Sequence, residues 1–139
     1  MINSVFNIDP AKKKFIADAY RNGGEMMAGS GYPPPLEPGD PREHVMPKVM
    51  ESAGYLGEIL EQVPVFVIAC VRGRVESVPM VIAQASTYGS ILPAAWSFML
   101  ALRGRGMGSA WTTIHLMMDG EKKAAELLGI PYEKVTQGG

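Results

Sequence analysis

The chain has 139 residues, of which 47% are hydrophobic and 19% charged, and its formal net charge is −1. This length suits a single domain with a moderate core, and the near-neutral charge argues against nucleic-acid binding, which needs a concentrated basic surface. The single cysteine, Cys70, excludes an intrachain disulfide and a cysteine metal cluster, and it suits a reducing compartment. The N-terminus has no signal-peptide pattern, and the apolar runs at 63–71 and 94–102 are too short to span a membrane. We therefore expect a cytoplasmic protein without a membrane segment.

The beginning of the chain predicts a short strand followed by a helix. Residues 2–8 have the composition of a strand that is ending. Asp9 then supplies an N-cap and Pro10 a first-turn proline for the helix AKKKFIADAYR. We expect this helix to end at the Gly23-Gly24 pair, because glycine commonly ends helices.

Residues 25–47 differ in kind from their neighbours, because prolines and glycines are too frequent there for the interior of a helix or strand. A flexible linker between two domains is one interpretation, but the flanking segments are too short to be separate domains. We favour a lid or surface excursion made rigid by its prolines, on which Tyr32 either covers a ligand or packs against the prolines. The whole chain, residues 1–139, is then one domain.

The middle of the chain predicts a helix and then a buried strand. Apolar residues recur at helical spacing from 45 to 61. The segment VPVFVIACV at 63–71 is almost continuously apolar and rich in β-branched residues, which is typical of a strand buried on both faces at the centre of a sheet.

A third, strongly apolar helix is predicted over residues 80–103, with Ser90 as a plausible N-cap and Pro93 in a first turn. Apolar residues occur all round this helix from 91 to 102, which indicates burial on every side. We expect Trp96 to be a core or interface aromatic. In a domain this small, a second copy of the chain is the simplest cover for such a helix.

Glycines 104, 106 and 108 end that helix and turn the chain into SAWTTI, which we predict to be a strand. They are not a dinucleotide-binding fingerprint, because that motif follows a strand and opens a helix. The segment DGEKKAAELLGIP predicts an amphipathic helix with Gly129 as its C-cap, and residues 131–139 read as the approach to a further strand. The order of elements is that of an α+β domain with a helix-covered sheet.

Few residues are candidates for chemistry. His44 and His115 are the only histidines, and no group of His, Asp and Glu has the spacing of metal ligands, so we predict no metal site. The serines lack the context of a nucleophile elbow, which disfavours a hydrolase. The polar step at 112–115 follows the glycine turn, where a strand end can offer backbone N–H and C=O groups to a flat ligand. A tight turn with no ligand-binding role is the alternative, and a structural role is the alternative for either histidine.

The segment YGSILPAAWSFMLALRGRGMGSAWTTIHL at 88–116 resembles the FMN-dependent nitroreductase family, whose bacterial members carry a similar SILPAAWSFML…GLG…AWTT unit. DPAKKKFIADAYR, SAGYLGEILEQVPVFVIACVRGR and AAELLGIPYEKVTQ extend the resemblance over most of the chain. The resemblance implies a nitroreductase-like, mostly antiparallel sheet covered by helices, with a long buried interface helix. It also implies a homodimer with two FMN sites at the interface.

The resemblance further implies a reaction and a set of site residues. Proteins of this family pass hydride from NADH or NADPH to FMN and then to a nitroaromatic, quinone or similar small acceptor, in ping-pong fashion. Because the flavin performs the hydride chemistry, no catalytic side chain is expected. The residues implied to border the cofactor belong to the strand end and to the start of the interface helix: Trp111, Thr112, Thr113, Ile114, His115, Gly89, Ser90, Leu92 and Pro93.

The sequence also departs from the family pattern. It has no counterpart of the arginine- and serine-bearing segment that holds the FMN phosphate, of the proline-serine-asparagine loop under the ring, or of the C-terminal extension around the partner subunit. A truncated, non-catalytic dimerisation or ligand-binding module of the same fold is therefore the alternative to an active oxidoreductase.

Overall fold

The computed structural model describes residues 5–6, 9–31 and 34–138. Tyr32, the ring proposed for the lid, lies outside them. The helices and strands in chain order are β1 Val5–Phe6, α1 Pro10–Gly29, α2 Met46–Ile59, β2 Phe66–Val67, β3 Cys70–Arg72, α3 Val81–Arg103, α4 Gly120–Leu128 and β4 Val135–Gln137. The strands form two antiparallel pairs, β1 with β2 and β3 with β4. The predicted α+β class is therefore confirmed, as a helix-rich fold with little sheet.

Helix α1 begins as predicted but does not end as predicted. The Asp9 side chain accepts a hydrogen bond from the Lys12 N–H at 3.0 Å, with Pro10 as the first helical residue. The helix then continues through Gly23-Gly24 to Gly29, so residues 25–29 of the predicted excursion are helical. The glycine pair does not stop the helix because Gly23 is buried in a tertiary contact, which outweighs its low helix propensity.

The core lies between α1, α4 and the segment 60–70, which contains β2 and the start of β3. Its buried apolar residues are Ile16, Ala17, Tyr20, Leu60, Phe66, Ile68, Cys70, Ala125 and Ile130. Cys70 is buried and free, as expected. Burial, with a smaller contribution from the charge of Glu121, raises the pKa of its thiol, so the thiol is protonated at neutral pH.

The predicted central strand at 63–71 is wrong in its extent and position. The segment is divided into β2 and β3, and each has one strand neighbour among the described residues. Val67 is exposed, although the residues that follow it are buried. A strand paired on one side only does not need an apolar residue at every position, so the continuous apolar run overstates its burial.

Helix α3 at Val81–Arg103 confirms the helix predicted over residues 80–103, but it begins nine residues before Ser90, so Ser90 is not its N-cap. Ser90 lies inside the helix, where its hydroxyl donates to the Thr87 carbonyl at 2.8 Å, and Pro93 is also interior rather than in a first turn. Within the single chain Ile91 is the one residue of α3 that is buried, and Trp96 is 60% exposed. The apolar ring of this helix therefore lies mostly on the surface of the chain, not buried on every side.

The C-terminal part follows its prediction more closely. Helix α4 ends at Gly129, which adopts the left-handed conformation with φ 70°, as a C-cap glycine does. Residues beyond it form β4, which pairs with β3 so that Cys70 lies opposite Gln137.

Arg74 links α4 to β4 and to the turn before β4. Its side chain is only 8% exposed, and its Nη1 and Nη2 atoms donate to the two carboxylate oxygens of Glu121 at 2.8 and 3.0 Å. Nη1 also donates to the Val135 carbonyl at 2.7 Å, and the guanidinium lies 4.0 Å from the centre of the Tyr132 ring. The Glu121 hydrogen bonds raise the pKa of Arg74 above its ordinary value. This arrangement holds β4 against the first turn of α4.

Candidate functional site

The predicted strand SAWTTI is wrong, because residues 107–113 form neither helix nor strand. They run from the turn after α3, where Gly106 has φ 75°, to the 3-10 turn Ile114–Leu116. The N–H groups of residues 108–113 donate no hydrogen bond to any described residue, and the carbonyls of 108–112 accept none. Among the described residues the segment has no neighbouring strand, and its backbone polar groups are open to solvent or to a ligand.

The C-terminal side of this segment is held firmly by the 3-10 turn. The N–H of Ile114 donates to Oγ1 of Thr112 at 3.3 Å, and the N–H of Leu116 donates to the Thr113 carbonyl at 3.0 Å. The turn packs between α1 and α4, where it meets Gly23 of α1 and Gly120 of α4. A Cβ atom on Gly23 would lie 2.7 Å from the Ile114 carbonyl oxygen.

An apolar cavity lies between α3 and residues 107–113, which we call the open segment. It has a volume of about 280 Å³ and is lined by Leu92, Trp96, Met99 and Trp111. Two of the residues implied by the family resemblance, Leu92 and Trp111, thus share one cavity, and Thr112 and Thr113 directly follow Trp111. The cavity walls are hydrocarbon, indole and thioether, which suit a flat aromatic ligand.

Trp96 and Met99 were not predicted as site residues, although the sequence carries a signal for them. Leu92, Trp96 and Met99 are spaced four and three residues apart, so they lie on one face of α3. The sequence could therefore have placed Trp96 and Met99 at the site together with Leu92.

The other predicted positions on α3 are not among the residues that line the cavity. Gly89, Ser90 and Pro93 are exposed and lie within the helix. The Ser90 hydroxyl donates its hydrogen to the Thr87 carbonyl within the helix, so this side chain can offer a ligand mainly the lone pairs of its oxygen.

Ile114 and His115 point toward the protein interior rather than toward open solvent. Ile114 packs against the hydrophobic core. His115 is 5% exposed, and neither of its ring nitrogens has a hydrogen-bond partner among the described residues. Burial lowers the pKa of His115 to about 4, so the imidazole is neutral at pH 7.

Two further observations limit the chemistry of the described part of the chain. It contains no group of three His, Cys, Asp or Glu side chains placed to hold a metal ion. None of its helices combines the length and apolar character needed to cross a bilayer.

The comparisons with known proteins give one match. A family profile described as "Nitroreductase family" matches residues 8–138. Searches of the curated proteins and of the solved structures give no match.

Proposed function

The chain belongs to the nitroreductase family, a family of oxidoreductases, and on that premise we propose that it uses FMN to carry hydride from NADH or NADPH to a small acceptor. Nitroaromatics and quinones are the proposed classes of acceptor, reduced in a ping-pong sequence. One observation carries the proposal: an apolar cavity lies beside a run of backbone groups that have no partner among the described residues.

The residues at this site fit an isoalloxazine ring. Its flat apolar face suits a cavity lined by Leu92, Trp96 and Trp111. Its pyrimidine edge alternates hydrogen-bond donors and acceptors, and the unpaired N–H and C=O groups of residues 111–112, with the N–H of Thr113, offer matching groups. When bound there, the flavin would supply the hydride chemistry.

The protein's contribution under this proposal is binding, orientation and the exclusion of water. Backbone groups hold the polar edge of the ring without adding net charge, and the indoles keep water from one face. His115 is uncharged at neutral pH, so it adds no positive charge to the turn that follows Thr113. None of these roles requires a side-chain acid or base.

We also propose that two copies of the chain associate through α3. The supporting observation is the exposed apolar surface of that helix in the single chain, which includes Trp96 at 60% and Leu100 at 53% exposure. A continuous apolar surface of this kind favours association, because its burial is stabilising by about 25 cal/mol per Å².

The association is tested by sedimentation of Leu100→Glu beside Val49→Glu. Val49 is a matched control because it is an apolar residue of similar exposure on α2, 48% against 53% for Leu100. We expect the wild type and Val49→Glu to sediment as dimers, and Leu100→Glu to sediment as a folded monomer. A wild-type protein that sediments as a monomer would contradict the proposal.

The flavin site is tested by the absorbance of the purified protein between roughly 350 and 500 nm, where bound flavin has two bands, and by titration with FMN. We expect Leu92→Asp to weaken FMN binding about tenfold or more: Leu92 is 44% exposed in the free chain, and bound flavin would cover the new carboxylate with the apolar face of its ring. Val49→Asp should leave binding unchanged. FMN-dependent oxidation of NADH or NADPH by an added quinone then tests the reaction. A folded wild-type protein that neither binds FMN nor oxidises either nicotinamide would refute the proposal.

A second candidate is a non-catalytic dimerisation or ligand-binding module of the same fold. It is favoured by the composition of the cavity, because none of the four lining residues is a cation that could pair with the FMN phosphate. The same experiments separate the two candidates: the module would form dimers, with or without bound FMN, but would not oxidise NADH or NADPH.

A further inference from the structure

Gly23 lies where α1 meets the 3-10 turn that follows the open segment. It is buried, and a Cβ atom built on it would lie 2.7 Å from the Ile114 carbonyl oxygen and 2.8 Å from Cγ2 of the same residue. Ordinary van der Waals contact begins at 3.4 Å. Only glycine therefore permits this approach of the turn to the helix.

The neighbouring glycine in the same helix has no such contact. A Cβ atom on Gly24 would have no heavy atom within 4 Å. Since glycine is less favourable than alanine inside a helix, Gly24 has no steric reason to be glycine, whereas Gly23 has one.

The turn is linked directly to the two threonines before it. Ile114 donates its N–H to Oγ1 of Thr112, and Leu116 donates its N–H to the carbonyl of Thr113. On the other side, residues 108–113 donate no hydrogen bonds to the rest of the described chain. The position of the Thr112–Thr113 backbone is therefore set mainly by the turn, and the position of the turn by its contacts with α1 at Gly23 and with α4 at Gly120.

We propose that Gly23 is a positioning residue for the flavin edge, because the absence of its side chain lets the Ile114 carbonyl seat against α1 and so fixes the backbone of Thr112 and Thr113. This inference rests on the proposed function and adds to it a residue that contacts no flavin. A methyl group on Gly23 would force the Ile114 carbonyl oxygen from 2.7 Å to beyond 3.0 Å from that carbon, and to 3.4 Å for an ordinary contact. Functional groups need to be held within about 0.5 Å of their productive positions, so a displacement of this size matters at the threonines.

The test compares Gly23→Ala with Gly24→Ala in the full chain, by FMN fluorescence quenching and by the visible spectrum of the bound flavin. We expect Gly23→Ala to raise the Kd for FMN about tenfold, as for one or two weakened backbone hydrogen bonds, and to shift the flavin bands. Gly24→Ala should leave both unchanged.

The possible results separate this inference from the proposed function. A Gly23→Ala protein that folds and binds FMN with the wild-type Kd and spectrum would overturn the inference and leave the proposed function standing. If the wild type binds no FMN, both are overturned.

A second measurement keeps the inference testable if Gly23→Ala does not fold. Hydrogen exchange of the Leu116 and Met117 amides, which form the bonds of the turn, is measured in the wild type with and without FMN. Slower exchange with FMN would support coupling of the turn to the flavin edge. Unchanged exchange with FMN bound would overturn it.

Discussion

The replacement His115→Leu should make the protein less sensitive to acid. His115 is buried, and both ring nitrogens lack partners among the described residues, so the fold accommodates only the neutral imidazole. Its pKa is lowered to about 4 in the folded protein, against an ordinary value of 6.5 in the unfolded chain. Between these values the unfolded chain binds the proton and the folded chain does not, so stability falls as the pH falls from above 6.5 to below 4.

The size of the effect follows from the shift. The difference between the two pKa values, 6.5 and about 4, corresponds to a loss of about 3 kcal/mol in the free energy of unfolding once the pH is below 4. About 2 kcal/mol of this is already lost at pH 5. Leucine has no proton to gain and leaves no nitrogen unpaired. His115→Leu should therefore be at least as stable as the wild type at pH 7 and clearly more stable at pH 5.

The assay is urea denaturation at several pH values between 5 and 7.5, on the wild type, His115→Leu and the exposed-site control His44→Leu. The difference between each variant and the wild type is compared across pH, because the carboxylates with lowered pKa values, such as Asp18 and Glu76, are common to all three proteins and cancel. A difference between His115→Leu and wild type that stays constant from pH 7 to pH 5 would show that His115 does not make the stability of the fold depend on pH.

Three further changes test the fold, each by urea denaturation. Arg74→Ala should lower the free energy of unfolding by about 3 kcal/mol, because it leaves the half-buried Glu121 carboxylate without the Arg74 guanidinium. Its control is Arg42→Ala at an exposed arginine, and equal losses of stability in the two variants would contradict the role of Arg74. Asp9→Ala should cost about 1 kcal/mol through loss of the N-cap of α1, and no change would mean that the cap bond contributes nothing. Gly24→Ala should stabilise the protein by roughly 0.5–1 kcal/mol, since its Cβ meets open space, and a loss of stability would show that the position is constrained.

Local signals in the sequence predicted local structure correctly. Asp9 followed by proline predicted the start of α1, and Gly129 predicted the end of α4, because caps depend on hydrogen bonds within a few residues. Gly23-Gly24 and Ser90 misled for the opposite reason. Their usual meanings as stop and start signals were overridden by a packing contact in one case and by continuation of a helix in the other.

The site could be predicted in part. The family resemblance implied Leu92 and Trp111 together, and both line one cavity in the structure. The strand prediction for SAWTTI failed, because a strand needs a neighbour and none is present among the described residues. Gly23 could not be identified from sequence, because its importance depends on a contact with a turn some ninety residues later in the chain.

Whether the Thr112–Thr113 backbone borders the flavin is measured most directly by the response of these two backbone amides to FMN, followed by ¹⁵N-resolved NMR. We predict that these two signals shift together with that of Trp111 during the titration, while signals from α2 stay in place. A protein that binds FMN without moving them, or that binds no FMN at all, would contradict this prediction.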